Sequence, residues 1–77
     1  MDDAYLLPPF AAEFIRQLFD SKAAREGAVI RRKARTVDRV VGREPFVAEM
    51  KRRGYGVVEN AGQYVIFCNR EPLRRLA

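Results

Sequence analysis

Residues 8–26 carry the apolar repeat of an amphipathic helix. Apolar side chains recur there every three or four positions, in a stripe formed by Phe10, Ala11, Phe14, Ile15, Leu18 and Phe19. Pro8 and Pro9 suit a first helical turn, whose amide groups have no partner within the helix. Gly27 suits a left-handed cap at the other end. The pattern predicts one helix over residues 8–26.

Residues 28–35 allow two interpretations. One is a short strand that begins at Val29 and Ile30 and places every second residue on a cationic face: Arg31, Lys33 and Arg35. Charges of this kind are typical of an edge strand, which they protect from unwanted pairing. The other is a continuation of the preceding helix, which Gly27 disfavours.

Two short helices are predicted in the middle of the chain. Thr36 is a good N-cap residue, and valines at helical spacing predict a helix over 37–41 that ends at Gly42. A second helix is predicted over 45–53, with a C-cap at Gly54 and an apolar side formed by Phe46, Val47 and Met50.

The segment 55–69 predicts a β-hairpin. Two runs rich in Val, Ile, Tyr and Phe, 55–59 and 63–69, flank a short loop of residues 60–62 in which Gly62 can adopt a positive φ. Both faces of the second run are apolar, with Tyr64, Ile66 and Cys68 on one and Val65 and Phe67 on the other. We therefore expect this strand to be central or covered on both sides.

Length and composition limit the fold to one small domain. The chain has 77 residues, a formal charge of +5 and 48% hydrophobic residues, which is typical of a globular protein. The elements predict an α+β fold with a core over about 8–69 and two tails, 1–7 and 70–77. Within the second tail, Leu73 and Leu76 are expected to contact the core.

Composition also excludes several kinds of chemistry. Because the sequence contains no His, neither a Ser-His-Asp nor a Cys-His site nor a His-ligated zinc is possible. The single Cys excludes an internal disulfide and fits a reducing compartment. No apolar run is long enough for a bilayer, and the start Met1-Asp2-Asp3 is unlike a signal peptide. We expect a cytoplasmic protein with no metal, no cofactor and no small-molecule substrate.

Catalysis is not expected either. Cys68 is the only conceivable nucleophile, and its apolar strand predicts a buried, unreactive thiol. The acidic residues are scattered along the chain instead of forming the pair that acid–base catalysis needs. The segment Gly54-Tyr55-Gly56 follows a predicted helix, whereas a phosphate-binding loop precedes one.

Positive charge is concentrated between residues 31 and 53. This segment has nine Lys and Arg residues against three acids, whereas residues 1–30 have three against five. A solvated basic face would explain the excess without a ligand. The alternative is a phosphate-binding surface, whose candidates are Arg31, Arg32, Lys33, Arg35, Arg39, Arg43, Lys51, Arg52 and Arg53.

The predicted order of helix, short strand, two short helices and hairpin resembles winged helix-turn-helix DNA-binding domains. The resemblance implies that helices 37–41 and 45–53 form the helix-turn-helix and that 55–69 is the wing. Two features depart from that family. Ala48 and Glu49 occupy outward positions where a recognition helix usually presents groups to base edges, and the loop 60–62 has no cation.

A second resemblance is local. The helix end Glu49–Gly54 and the hairpin that follows it are similar to the helix-hairpin of HicA toxins, small ribonucleases with a double-stranded-RNA-binding-like fold. The catalytic His of that family has no counterpart around Gly62-Gln63-Tyr64, so only the shape is implied.

The sequence thus predicts a small, non-enzymatic nucleic-acid-binding protein, most simply a DNA-binding transcriptional regulator. The alternatives are an adaptor whose basic face binds an acidic protein and an RNA-binding module. Surplus apolar surface on the first helix predicts a homodimer through Phe10, Phe14 and Leu18.

Overall fold

Three antiparallel strands and four helices make up the part of the chain that the computed structural model describes, residues 7–77. The strands form one sheet in the order β1-β3-β2. The elements are α1 (Pro9–Phe19), α2 (Lys22–Arg25), β1 (Val29–Lys33), α3 (Ala34–Val40), α4 (Arg43–Arg53), β2 (Gly56–Asn60) and β3 (Gln63–Phe67). The predicted α+β class is confirmed, and the elements follow the predicted order except that two helices precede β1 where one was expected.

The hairpin strand β3 is central, as its two apolar faces predicted. Its residues pair with both neighbours: Ile66 lies opposite Ile30 on one side and Val57 on the other. The core lies on one face of this sheet, where Tyr64, Ile66 and Cys68 point inward and are at most 4% exposed. Packing of a sheet face against helices is the common solution for an α+β domain.

The helices complete this core with large apolar side chains. The largest fully buried ones are Phe46, Met50, Ile66 and Val37. Each such side chain stabilises the fold by roughly 1.5–3 kcal/mol relative to exposure to water. Two of the four belong to α4, so this helix is fixed on the sheet through the apolar side that its sequence predicted.

The single helix predicted over residues 8–26 is wrong, because the chain breaks into α1 and α2. Ser21 has an extended backbone and its hydroxyl accepts a hydrogen bond from the Ala24 amide at 3.3 Å, which caps α2. Pro9 occupies the first turn of α1, and Gly27 has a φ of 74°, as predicted. The local capping interaction of Ser21 therefore interrupts an apolar stripe that would otherwise support a continuous helix.

Residues 28–35 are resolved as a strand that runs directly into a helix. Strand β1 ends at Lys33 and α3 begins at Ala34, so Thr36 lies inside the helix and the predicted N-cap is wrong. The Ala34 amide donates to Gly62 O at 2.9 Å, and this tertiary hydrogen bond replaces a side-chain cap.

Helix α4 begins two residues earlier than predicted and ends where predicted. Gly42, with a φ of 98°, precedes it, and Pro45 lies in the first turn, where a missing amide costs no intrahelical hydrogen bond. Gly54 is left-handed at the C-cap, as expected.

The C-terminal segment 70–77 has no helix or strand. Leu73 lies against Gly56: a Cβ placed on that glycine would be 2.8 Å from Leu73 Cδ1. Leu76 is 88% exposed, so its expected contact with the core is wrong. None of the helices within residues 7–77 is long and apolar enough to cross a membrane.

Candidate nucleic-acid interface

Four exposed cations follow one another along β1 and α3. Arg31 and Lys33 share the outward face of the edge strand, about 7 Å apart, since successive strand residues rise ~3.3 Å and alternate in direction. Arg35 and Arg39 are one turn apart on α3, about 6 Å along its axis. We call these four residues the basic stripe: Arg31, Lys33, Arg35 and Arg39.

The basic stripe follows the chain directly from β1 into α3, since no loop separates the strand from the helix. Its middle lies beside the tip of the hairpin, since Ala34 donates to Gly62 O at 2.9 Å. The tip is a two-residue turn in which Ala61 and Gly62 both have positive φ. Within residues 7–77 none of the four side chains forms an ion pair. The stripe is therefore available to an anionic ligand.

Arg32 points away from this stripe. Residues on a strand alternate in direction, and Arg32 lies on the core side of β1, where its Nη1 donates to Arg31 O at 2.7 Å. The backbone groups of Ala28 and Ala34 form hydrogen bonds with the hairpin strand β3 and the residues that flank it. Because successive residues of a strand direct their backbone groups to opposite sides, the carbonyl of Arg31 faces the free edge of the sheet. Arg32 satisfies that carbonyl and lines an open cleft of about 250 Å³ with Phe14, Gln17 and Leu18.

Three of the predicted phosphate-binding residues are instead paired with carboxylates of the same chain. Arg43 Nη2 lies 2.6 Å from Glu59 Oε1, while Arg52 and Arg53 lie 2.5 and 2.7 Å from Glu49 Oε2. Arg53 also covers the ring of Phe19, 4.7 Å from its centroid. These three cations are less available to a ligand than the basic stripe.

Glu49 forms ion pairs with two of these cations, Arg52 and Arg53. Partial burial raises the pKa of its carboxyl, but the hydrogen bonds from Arg52 and Arg53 outweigh this effect, so that the pKa lies below its ordinary value. The charge of Glu49 is thereby maintained at neutral pH. The remaining cation of α4, Lys51, is exposed and forms no ion pair within residues 7–77.

The outward side of α4 is chemically mixed. Glu44 is exposed in its first turn, Val47 is 40% exposed, and Ala48 and Lys51 complete the side that faces away from Phe46. This side offers base edges few of the polar groups that a recognition helix uses. Contact with the phosphate backbone is the better match for the available cations.

The predicted dimer residues are separated by the fold. Leu18 is 4% exposed and belongs to the core of its own chain, which removes it from the candidate interface. Phe14 is partly buried against the same core, and Phe10 is 63% exposed. The apolar surface of α1 is thus centred on Phe10.

Cys68 lies in the core, as expected for an unreactive thiol. It is 4% exposed, and burial raises its pKa above the ordinary value of a thiol. Among the residues that the structure describes, no three His, Cys, Asp or Glu side chains cluster in a way that could hold a metal ion.

The hydrogen bond of Tyr64 and the ion pair of Glu59 in this region were not predicted from the sequence. Tyr64 donates a hydrogen bond to Asp38 Oδ1 at 2.6 Å and thereby ties β3 to α3. Glu59 pairs with Arg43 across 16 positions of sequence. The alternation in β2 and β3 places Glu59 and Tyr64 side by side, but nothing local in the sequence identifies their partners.

No family model matches the chain, and no curated protein or solved structure is significantly similar to it.

Proposed function

We propose that this protein binds duplex DNA through its phosphate backbone and acts as a small transcriptional regulator. The observation that carries the proposal is the basic stripe, four exposed cations on the adjoining elements β1 and α3 that form no ion pair within residues 7–77. Three of the four are Arg, whose planar guanidinium matches phosphate oxygens in a bidentate manner.

The arrangement of elements supports the same proposal. One strand, two short helices and a hairpin follow α1 and α2, and β1 pairs with the second strand of the hairpin. This order is what the resemblance to winged helix-turn-helix domains requires. In this proposal α3, the turn that follows it and α4 correspond to the helix-turn-helix, and the hairpin of β2 and β3 corresponds to the wing.

The chemistry of α4 determines how sequence-specific the binding is. Since its outward side carries Glu44, Val47 and Ala48, we expect affinity to come mainly from phosphates. Binding should then differ little between duplexes of different sequence.

Salt dependence tests the proposal directly. In a fluorescence anisotropy titration, affinity for mixed-sequence duplexes should fall log-linearly between about 50 and about 200 mM salt, with a slope of about 0.9 per phosphate contact. Neutralising two residues of the stripe, R35Q with R39Q, should reduce the slope by about 1.8 and weaken binding about tenfold to a hundredfold.

A matched control separates the basic stripe from net charge alone. The pair K22Q with R25Q also removes two exposed cations from one helix, α2, outside the stripe. It should leave the salt slope unchanged. Equal losses for both pairs would show that only total charge matters, and a wild-type protein that leaves every duplex free at about 50 mM salt would refute DNA binding.

An acidic protein partner is the second candidate function. The exposed Val47 on α4 favours it, because a half-exposed apolar side chain near cations suits a protein interface better than a phosphate backbone. Double-stranded RNA in place of DNA tests the remaining alternative. A protein that binds RNA and leaves DNA free would be an RNA-binding module.

A further inference from the structure

The ion pair between Arg43 and Glu59 joins the start of α4 to the hairpin. Their side-chain atoms are 2.6 Å apart, and the two side chains remain 53% and 41% exposed. Arg43 is the first residue of α4, and Glu59 lies near the end of β2. The pair therefore joins α4, which packs against α3, to the edge strand β2.

Arg43 is positioned by more than this one carboxylate. Its guanidinium lies 5.5 Å from the centroid of the Tyr64 ring, and the hydroxyl of that tyrosine is bonded to Asp38 of α3. The hydrogen bond to Glu59, followed by the charges of Tyr64 and Glu59, raises the pKa of Arg43 above its ordinary value. A guanidinium is positively charged at neutral pH in any environment of this kind, so Arg43 keeps its charge when Glu59 is replaced by another anion.

Such a pair can exchange its partner. An ion pair between two half-exposed side chains contributes little net stability, since water already solvates both charges. A phosphate offers the same guanidinium a charge-assisted, bidentate contact. Arg43 also follows Arg39 by four positions, across the turn that joins α3 to α4, so it is the next cation along the chain after the basic stripe.

We propose that Arg43 is a fifth phosphate contact of this interface, which Glu59 occupies in the free protein and releases when nucleic acid binds. The inference rests on the proposed function and adds a competition between an internal carboxylate and the ligand. Glu59 thereby limits affinity, because each binding event must break the ion pair.

Removal of the competing carboxylate tests this mechanism. The variant E59Q should bind duplex DNA about twofold to fivefold more tightly than wild type, with an unchanged salt slope, because a weak ion pair no longer has to be broken. The variant R43Q should lower the slope by about 0.9, the loss of one phosphate contact. In the R43Q background, E59Q should increase the affinity for DNA only by the amount that one additional net positive charge gives.

E13Q is the matched control. It removes a carboxylate that also lies 2.6 Å from an arginine, Arg16, in a pair of similar exposure on α1, and it changes the net charge by the same amount. A gain for E59Q no greater than that for E13Q, or an unchanged slope for R43Q, would overturn the role of Arg43 while DNA binding by the stripe stands. Wild-type protein that does not bind at all would refute both.

Folding of the variants is checked by circular dichroism. If R43Q loses its structure, the comparison of E59Q with E13Q decides alone, since both substitutions lie at exposed positions outside the core.

Discussion

Tyr64 of β3 contacts both α3 and α4. Its ring stacks on Phe46 with centroids 5.1 Å apart, and its hydroxyl donates to Asp38 at 2.6 Å. The Arg43 guanidinium also lies over the ring, 5.5 Å from its centroid. The residue is only 2% exposed, so this hydroxyl needs its partner, because an unpaired buried polar group destabilises the fold.

Tyr64 makes the stability of the protein sensitive to alkaline pH. Burial, and then the hydrogen bond to the Asp38 carboxylate, raise the pKa of Tyr64 from 10.0 to about 12. Since the folded state holds the proton more tightly than the unfolded chain, this contribution is complete below pH 10 and is lost as the pH rises toward 12. By about pH 11 the unfolding free energy should have fallen by roughly 1 kcal/mol through this group.

Urea unfolding of wild type and Y64F at about pH 8 and about pH 11 measures this loss. At the lower pH, Y64F should be about 1 kcal/mol less stable than wild type because it has lost one hydrogen bond. Its free energy of unfolding should not show the additional decrease of wild type at the higher pH. Equal declines in both proteins would assign the pH dependence to other groups.

Sequence reasoning predicts the burial of Tyr64 but not its bonds. The two-residue alternation placed its side chain with Ile66 and Cys68 on one face, and all three are buried. Asp38 is 26 positions away, on a helix whose orientation over the sheet depends on the packing of Val37 and Phe46. Packing of that kind has no local signature, so the network around Arg43 was not predictable.

At the scale of elements, Gly27 follows α2 and the left-handed Gly54 caps α4 as the sequence predicted, because a positive φ at glycine is a local property, whereas α1 ends at the C-cap Asp20 without a glycine. The start of α3 is different, since it depends on a hydrogen bond from Ala34 to Gly62, which is 28 positions away. The break before α2 was missed because the apolar stripe runs through it and only the capping of Ser21 interrupts it. Local signals thus predict element type better than element bounds.

Alanine substitutions at Gly54 and Gly62 distinguish the strain of a left-handed backbone from a steric clash of the new Cβ. Both are left-handed, with φ of 79° and 74°. A Cβ on Gly54 would lie 3.1 Å from Cγ of Arg70, whose Nε donates to Arg53 O at 3.0 Å, whereas a Cβ on Gly62 would have no atom within 4 Å.

We expect G62A to lower the free energy of unfolding by about 1–2 kcal/mol, the cost of a left-handed backbone for a residue with a Cβ. The single variant G54A should lower the free energy of unfolding by ~0.5–1 kcal/mol more than G62A does, because Arg70 must give up its hydrogen bond at the end of α4. Thermal or urea unfolding measures the difference. Identical losses would mean that Arg70 does not stabilise the helix end.

At the scale of the whole molecule, the cations of residues 31–53 include those of the basic stripe, which form no ion pair within residues 7–77, and those that pair with carboxylates of the same chain. The stripe on β1 and α3 was predicted as a candidate surface because alternation and helical spacing are local. The pairing of Arg52 and Arg53 with Glu49 follows helical spacing and could be anticipated, but Arg43 and Glu59 meet only through the tertiary fold. Net charge therefore overestimated the surface available to a ligand.

The predicted homodimer now depends on Phe10, which is 63% exposed on α1. We expect wild-type protein to sediment as a dimer at high micromolar concentration and F10S as a monomer, because a buried aromatic anchor contributes much of the energy of a small interface. V47S, which truncates an apolar side chain that is 40% exposed on α4, is the control and should remain dimeric.

The same variant connects assembly with DNA binding. A dimer that places two basic stripes on one duplex makes twice the phosphate contacts of a monomer, so F10S should bind with about half the salt slope of wild type. A dimer with only one stripe on the DNA would keep its slope when Phe10 is replaced. Wild-type protein that sediments as a monomer at high micromolar concentration would refute the dimer, and the slope would then count the contacts of a single stripe.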